Sequence, residues 1–296
     1  MQRRVADLRQ FGRSAFAHSA ELEPSRTVDL LLSDILMLDR AALIAHDDRV
    51  VSETDELLFR ERIARIASGE PLAYVRGKQE FYGIELLVDR RVLIPRPETE
   101  LLVDLSLAFI AKEHSKVSLI DVGTGSGAIV LAILAELRTH REHDLFPLVR
   151  AIGVDIEVEA LAVAQENAKQ LGLEDCVKFF CSDLLAGLPS ELLKSTDPAK
   201  LVVANLPYIG LHDQVQESVK RFEPPSALWA GEEGLDFITR LIEQIFERAT
   251  TGTTLLLEVG AGQAAQVESL LHSTGYCSIV RHRDLQQIER VLEARI

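Results

Sequence analysis

Acidic residues and glycines recur where the apolar, strand-like runs of this chain end, which is where α/β proteins bind their ligands. The cluster Asp121-Val122-Gly123-Thr124-Gly125-Ser126-Gly127 follows one such run and opens a helix rich in Ala, Ile and Leu. Its alternate glycines let the main chain turn tightly and approach a ligand with no Cβ in the way. The spacing is G-x-G-x-G, one position tighter than the G-x-G-x-x-G of dinucleotide-binding proteins, and so turns the reading away from NAD. Asp155 ends the next run, AIGVD, where a carboxylate can accept both hydroxyl hydrogens of a ribose. It also reads as an N-cap for the helix that begins at DIEVEA. Asp183 ends a third run, VKFFCSD, in position to contact an adenine amino group or to act as a cap. Glycine loop and acid on successive strand ends favour a nucleoside ligand. Asp121, just ahead of the glycines, suits a ligand carrying positive charge better than a pyrophosphate.

S-adenosyl-L-methionine carries an ammonium and a sulfonium, and the D-x-G-x-G-x-G pattern resembles that of the class I methyltransferases that use it. The fourth run ends in Asn205-Leu206-Pro207-Tyr208, which resembles the N-P-P-Y motif of enzymes that methylate planar nitrogens. An amide or exocyclic amino nitrogen is a poor nucleophile because its lone pair is delocalised. Two acceptors on its hydrogens pull it toward tetrahedral geometry and localise that pair at the methyl group. The Asn205 oxygen and the carbonyl of Leu206 supply two acceptors, Pro207 restricts Leu206 to extended backbone angles, and Tyr208 offers an aromatic face. A plain strand end and turn would explain Pro207 alone. Leu206 stands where the motif has its first proline, which keeps the carbonyl but gives up φ restriction worth up to about 1 kcal/mol.

Three further stretches resemble the release-factor glutamine methyltransferases, the PrmC (HemK) family: Glu70-Pro71 through Gly77 with Glu80-Phe81 and Gly83, Val92 through Glu100, and Glu223 through Leu228 with Gly231 and Gly234-Leu235. The resemblance spans about residues 70–260, in order. It implies methylation of the side-chain amide nitrogen (N5) of the glutamine in the Gly-Gly-Gln motif of peptide chain release factors, with S-adenosyl-L-methionine as cofactor. Carried over, Asp121, Gly123, Thr124, Gly125, Ser126, Gly127, Asp155, Asp183, Leu184 and Asn205 would hold the cofactor. Asn205, Leu206, Pro207 and Tyr208 would hold the glutamine and carry catalysis. Arg96, between two prolines, reads either as a cation displayed near the site entrance or as a surface arginine. Glu98 and Glu100 read as helix-start residues, His140 and His143 as solvated, His212 as outside the pocket, and Trp229 as a packing residue.

The elements that must position these residues fall into two periods. From the N-terminus to about Gly69 the spacing is helical, with Leu30, Leu31, Ile35 and Leu38 on one face and Leu57, Leu58, Ile63 and Ile66 on another. Residues 81–96 read as two β runs paired around Asp89-Arg90. From Val117 onward strand-like and helical runs alternate, and the last two strand runs follow one another closely enough to pair antiparallel. The expected fold is α/β: a Rossmann-like, mostly parallel seven-stranded sheet with an antiparallel last strand. Residues 1–75 would form a helical substrate-recognition domain, 76–98 a hairpin linker and 99–296 the methyltransferase domain.

With 296 residues and 47 % hydrophobic composition, the chain is long enough for two domains and too apolar for a disordered one. A net charge of −14 argues against a nucleic-acid-coating protein or an anionic membrane partner, and so against an N6-adenine nucleic-acid methyltransferase built on the same tetrapeptide. A binding protein without catalysis would have lost the acceptors, and Asn205 is present. Cys176, Cys181 and Cys277 form no C-x-x-C pair and read as reduced core thiols, with no metal site. No signal-peptide pattern or apolar run of membrane-spanning length appears, so a cytoplasmic protein is expected, and separately a monomer.

Overall fold

The computed structural model describes residues 3–16, 23–113, 115–139, 145–193, 199–249 and 251–296; His140 and His143 lie outside them. The chain divides into two compact units, Met1–Gly77 with Glu217–Phe222, and Lys78–Gln216 with Glu223–Ile296.

The first unit holds α1 (Val5–Ala15), α2 (Pro24–Leu36), α3 (Arg40–Ala45), α4 (Glu53–Ala67) and α5 (Leu72–Arg76). Pro24 sits at the first position of α2, where its missing N–H costs nothing. Ser52 caps α4 by accepting the Asp55 N–H at 3.1 Å. The buried stripes differ from those expected. On α2 they are Val28, Leu31, Leu32 and Leu36, with Leu30, Ile35 and Leu38 only partly covered. On α4 they are Phe59, Ile63 and Ile66, whereas Leu57 is 69 % exposed. Two residues along a helix is roughly a half-turn, so a stripe through Phe59 puts Leu57 on the far side. Hydrophobic type alone puts Leu57 on the same face as Ile63 and Ile66.

In the second unit, β1 (Lys78–Phe81) and β2 (Ile84–Leu87) form the hairpin. It turns at Tyr82-Gly83, both at positive φ (47° and 75°), and not at Asp89-Arg90. Residues 88–96 form no strand. Asp89 there accepts the Arg91 N–H at 3.0 Å and its guanidinium at 2.6 Å, which curls the chain, and Pro95 and Pro97 have no N–H to give a ladder.

The remaining elements run α6 (Glu100–Lys112), β3 (Val117–Val122), α7 (Ala128–Thr139), β4 (Val149–Asp155), α8 (Val158–Gln170), β5 (Val177–Cys181), α9 (Ser190–Leu193), β6 (Ala199–Ala204), α10 (Glu217–Phe222), which belongs to the first unit, α11 (Asp236–Arg248), β7 (Thr253–Glu258), α12 (Ala264–Thr274), β8 (Cys277–Arg283) and β9 (Glu289–Arg295). The sheet order is β5-β4-β3-β6-β7-β9-β8, parallel except for β9, as the alternating pattern predicts. One core packs α6 and α7 on one face of the sheet, and a second packs α11 and α12 on the other. Registers such as Val122↔Val154, Val122↔Ala204 and Ala204↔Leu257 bring the carboxyl ends of β3, β4, β6 and β7 level, so residues just beyond them meet. The cysteines are free but not core residues: Cys181 and Cys277 are exposed at sheet-edge strands and Cys176 is half-buried.

Asn167 of α8, fully buried, ties the hairpin to the glycine loop. Its Oδ1 accepts the Leu87 N–H at 2.7 Å, and its Nδ2 donates to the Leu87 carbonyl at 3.0 Å and the Ser126 carbonyl at 2.9 Å. Asn167→Leu keeps the volume but orphans three main-chain groups, at about 1–3 kcal/mol for each that stays dry. A stability loss of about 2–5 kcal/mol is expected in urea unfolding at an unchanged m-value. A loss below about 1 kcal/mol would show that water takes over the bonds.

Candidate active site

Gly123, Gly125, Asp155, Asp183, Leu184, Asn205, Leu206 and Pro207 line one cavity at the carboxyl ends of the strands. It is closed further by Val92, Leu93, Ile156, Pro224, Trp229 and Phe237, none of which was singled out as a ligand contact. Asp121, Thr124, Ser126, Gly127 and Tyr208 do not line it.

Asp121, wholly buried, works behind the loop: its Oδ2 accepts the Thr124 hydroxyl at 2.7 Å and the Val130 N–H at 3.4 Å, while Oδ1 has no partner. Burial pushes its pKa up to about 7, because a carboxylate with one bare oxygen is poorly solvated in the interior. Asp155 faces the cavity. Its Oδ2 accepts the Gly125 N–H at 2.8 Å and its Oδ1 the Glu157 N–H at 3.0 Å, which fixes the loop to β4. The residue at the helix boundary of α8 is Glu157, so Asp155 makes a local turn bond there rather than the helix cap itself. Each of its oxygens retains a lone pair for a ligand hydroxyl. Burial raises its pKa, against the opposing pull of these N–H groups. Asp183 pairs with Arg240 at 2.5 Å, and Leu184 beside it holds φ at 50°, an unusual backbone state for a bulky residue.

Asn205 follows β6 directly, and its Nδ2 donates to the Thr99 hydroxyl at 3.0 Å. That bond identifies Oδ1 as the end left for another donor. The Leu206 side chain is buried, 3.0 Å from where a Cβ on Gly123 would stand, so packing onto the glycine loop restrains the segment where the usual proline would. Gln263 holds the next carbonyl in place: its Nε2 donates to Tyr208 O at 3.0 Å while its Oε1 accepts the Gly260 N–H at 2.8 Å. Burial pushes the Tyr208 hydroxyl up to about 12, with Glu258 and Glu98 adding to the effect.

Arg96 is not a displayed cation. Its Nη2 lies 2.5 Å from Oε1 of the buried Glu223, whose Oε2 accepts the Ile94 N–H at 3.2 Å, which joins the 92–100 stretch to the loop after β6. Arg76, Lys78 and Arg91 are likewise paired, with Asp34, Glu85 and Asp89. His212 is exposed and Trp229 is a half-buried part of the cavity wall. Among the described residues no group of His, Cys, Asp and Glu could hold a metal ion, and no helix is long and apolar enough to cross a membrane.

A parallel sheet with an antiparallel β9, a glycine loop after β3 and an acid closing β4 define a class I methyltransferase. The comparisons agree: residues 113–294 match the model of a methyltransferase domain and residues 7–77 that of the PrmC N-terminal domain. The fold is similar to the catalytic domain of hMettl16 solved with a 3′UTR hairpin, at TM-score 0.52 and 14 % identity over 83 % of this chain and 84 % of that one. It is also similar to the 16S rRNA methyltransferase RsmC of T. thermophilus solved with AdoMet and guanosine, at TM-score 0.50 and 15 % identity over 74 % of this chain and 49 % of that one. Curated relatives are nearer. The release factor glutamine methyltransferase of Koribacter versatilis is 38 % identical, covering 92 % of this chain and 91 % of that one. The enzyme of the same name from Pasteurella multocida is 35 % identical over 96 % of both chains. The chain belongs to the release factor glutamine methyltransferase (PrmC) family.

Proposed function

We propose that this protein transfers a methyl group from S-adenosyl-L-methionine to the side-chain amide nitrogen of the glutamine in the Gly-Gly-Gln motif of peptide chain release factors. The observation that carries the reading is Asn205-Leu206-Pro207, anchored between β6 and the glycine loop on the wall of the cavity, in a member of this family. The cavity fits the cofactor. Asp155 has free lone pairs for a ribose, an added Cβ on Gly125 would meet no protein atom closer than 4.0 Å, and Asp183 and Leu184 stand beside the apolar Phe237 and Ile156 as adenine would need.

When bound, the cofactor supplies an electrophilic methyl on its sulfonium. The chain's residues prepare the nucleophile. Asn205 Oδ1 and the Leu206 carbonyl accept the two amide hydrogens, which draws the nitrogen lone pair out of conjugation and aims it at the methyl. Tyr208 does not line the cavity, and its contribution is through its carbonyl, which Gln263 holds and so fixes the end of the tetrapeptide. Asp121, buried behind the loop, acts through the Thr124 hydroxyl and the Val130 N–H that it accepts. Residues 1–75 would recognise the release factor and residues 76–98 link them to the methyltransferase domain at 99–296.

Nucleic acid is the disfavoured acceptor. The chain carries −14, and the cations nearest the site entrance in sequence are already spoken for by Asp34, Glu85, Asp89 and Glu223, which leaves little to neutralise phosphates. The protein would work as a cytoplasmic monomer without stable nucleic-acid binding. Tritium transfer from labelled cofactor to recombinant release factor tests the reading, with a glutamine-substituted factor and plasmid DNA as controls. Label on the intact factor alone is expected; label on DNA, or on the substituted factor equally, would refute it.

Asp155→Ala is expected to weaken cofactor binding about tenfold to a hundredfold, since it removes charge-assisted bonds worth about 1.5–3 kcal/mol. Calorimetric titration with S-adenosyl-L-methionine checks this, and an unchanged dissociation constant would remove Asp155 from the site.

A further inference from the structure

Glu258, the last residue of β7, is 0 % exposed and neither carboxylate oxygen completes a hydrogen bond of full geometry. A buried, unpaired carboxylate costs several kcal/mol unless something uses it. The β6–β7 register pairs Ala204 with Leu257, so Glu258 lies beside Asn205 on the neighbouring strand. The Thr99 hydroxyl and the Asn205 side chain both lie close enough to draw its pKa down, against burial that drives it up to about 7. Thr99 already accepts one hydrogen of the Asn205 amide at 3.0 Å. Its own hydroxyl hydrogen and the second amide hydrogen of Asn205 are therefore the donors at hand.

We propose, resting on the reading of Asn205 given above, that Glu258 is a positioning residue: as an acceptor-only carboxylate behind the site, it takes the hydrogens of Thr99 and Asn205 and so holds the Asn205 amide with its oxygen toward the substrate nitrogen. An amide has a donor end and an acceptor end of nearly equal size, and nothing in its shape stops it from turning over. With the NH2 end committed to Thr99 and Glu258, the oxygen can point only the other way. A protonated Glu258 becomes a donor, which the Asn205 oxygen would turn to meet, taking the acceptor from the substrate. Turnover therefore rises with pH as Glu258 ionises. The other titratable groups felt at this carboxylate are Glu98 before Thr99, which opposes ionisation, and Arg290 on β9, which favours it although Asp284 shares its charge at 3.2 Å. The Tyr208 hydroxyl stays protonated throughout the neutral range.

The test compares Glu258→Gln, Thr99→Val and Thr99→Ser with the full-length wild type. In the first readout, the side-chain NH2 signals of Asn205 are followed by nitrogen-15 NMR against pH without any methyl acceptor. A titration near neutral pH in wild type that disappears in Glu258→Gln is expected. In the second, Glu258→Gln and Thr99→Val lower kcat about 10- to 100-fold with the KM for release factor and the cofactor affinity nearly unchanged, and the rise of kcat with pH is lost in Glu258→Gln. Thr99→Ser, which keeps the hydroxyl, stays near wild type. Asn205 signals indifferent to pH, wild-type kcat in Glu258→Gln, or equal loss of kcat and cofactor affinity in both disruptive variants would overturn the proposal. Thr99→Val carries the test if Glu258→Gln does not fold. The NMR readout involves no acceptor, so a wild type that titrates but transfers no methyl to release factor contradicts the substrate reading and not this one.

Discussion

Asn205→Ala is expected to lower turnover by about 10²- to 10³-fold while the affinity for release factor stays close to wild type. The Asn205 oxygen meets a planar amide in the ground state and a pyramidalising nitrogen in the transition state, and it accepts far more strongly from the second. Removing it takes away an interaction made mainly at the barrier, so kcat falls and KM does not. The alanine also frees Thr99, whose hydroxyl loses the Nδ2 donor it holds at 3.0 Å, but that bond lies behind the site and does not touch a ligand. Single-turnover kinetics at saturating cofactor measure the loss. Near-normal rates would remove Asn205 from the mechanism, and a loss carried wholly by KM would make it a binding residue.

Gly234→Ala should be the most damaging substitution away from the residues that touch substrate. Gly234 sits at φ 76°, and a Cβ there would stand 2.2 Å from the Tyr208 carbonyl oxygen and 2.9 Å from its carbon, both main-chain atoms. Positive φ costs an alanine roughly 1–2 kcal/mol, and the clash must be relieved by moving the backbone that follows Pro207. That carbonyl is the one Gln263 clamps, so the shift passes straight into the Leu206 acceptor two residues away. A displacement of about 1 Å at reacting groups is worth about a hundredfold in rate. The expected result is a kcat loss of that size with cofactor affinity preserved, because the glycine loop and Asp155 hang from β3 and β4 instead. Turnover within about threefold of wild type would mean the loop after β6 relaxes without dragging the tetrapeptide, well short of what such a displacement costs.

Alternation of strand-like and helical runs was enough to read the sheet, because its parallel strands are largely apolar and polar residues gather at or just beyond their ligand edge. Asp121, Asp155 and Asp183 were visible for that reason. Glu258 carries the same signal, an acid closing the run TLLLE, and went unread because no motif follows it. Thr99, Asn167, Gln263 and Glu223 act through partners 106, 80, 55 and 127 positions distant in sequence, respectively, and such distances leave no local trace. The hairpin was misplaced since Asp89-Arg90 has turn-like composition, while the true turn, Tyr82-Gly83, hides its one small residue beside an aromatic. In the helical unit the hydrophobic residues exceed what the buried stripes can hold, so type alone could not separate Leu57 from Phe59. Arg96 showed its charge in the sequence but not its partner.

The central claim is the identity of the methylated atom. Full-length protein incubated with S-adenosyl-L-methionine and a release factor labelled with nitrogen-15 at its glutamine side-chain amides can be followed by NMR and by mass spectrometry of the Gly-Gly-Gln peptide. The account predicts one added methyl on that peptide and collapse of its glutamine NH2 pair into a single N–H resonance coupled to a methyl group. An unmodified Gly-Gly-Gln peptide, or a methyl located on any other atom of the factor, would contradict it.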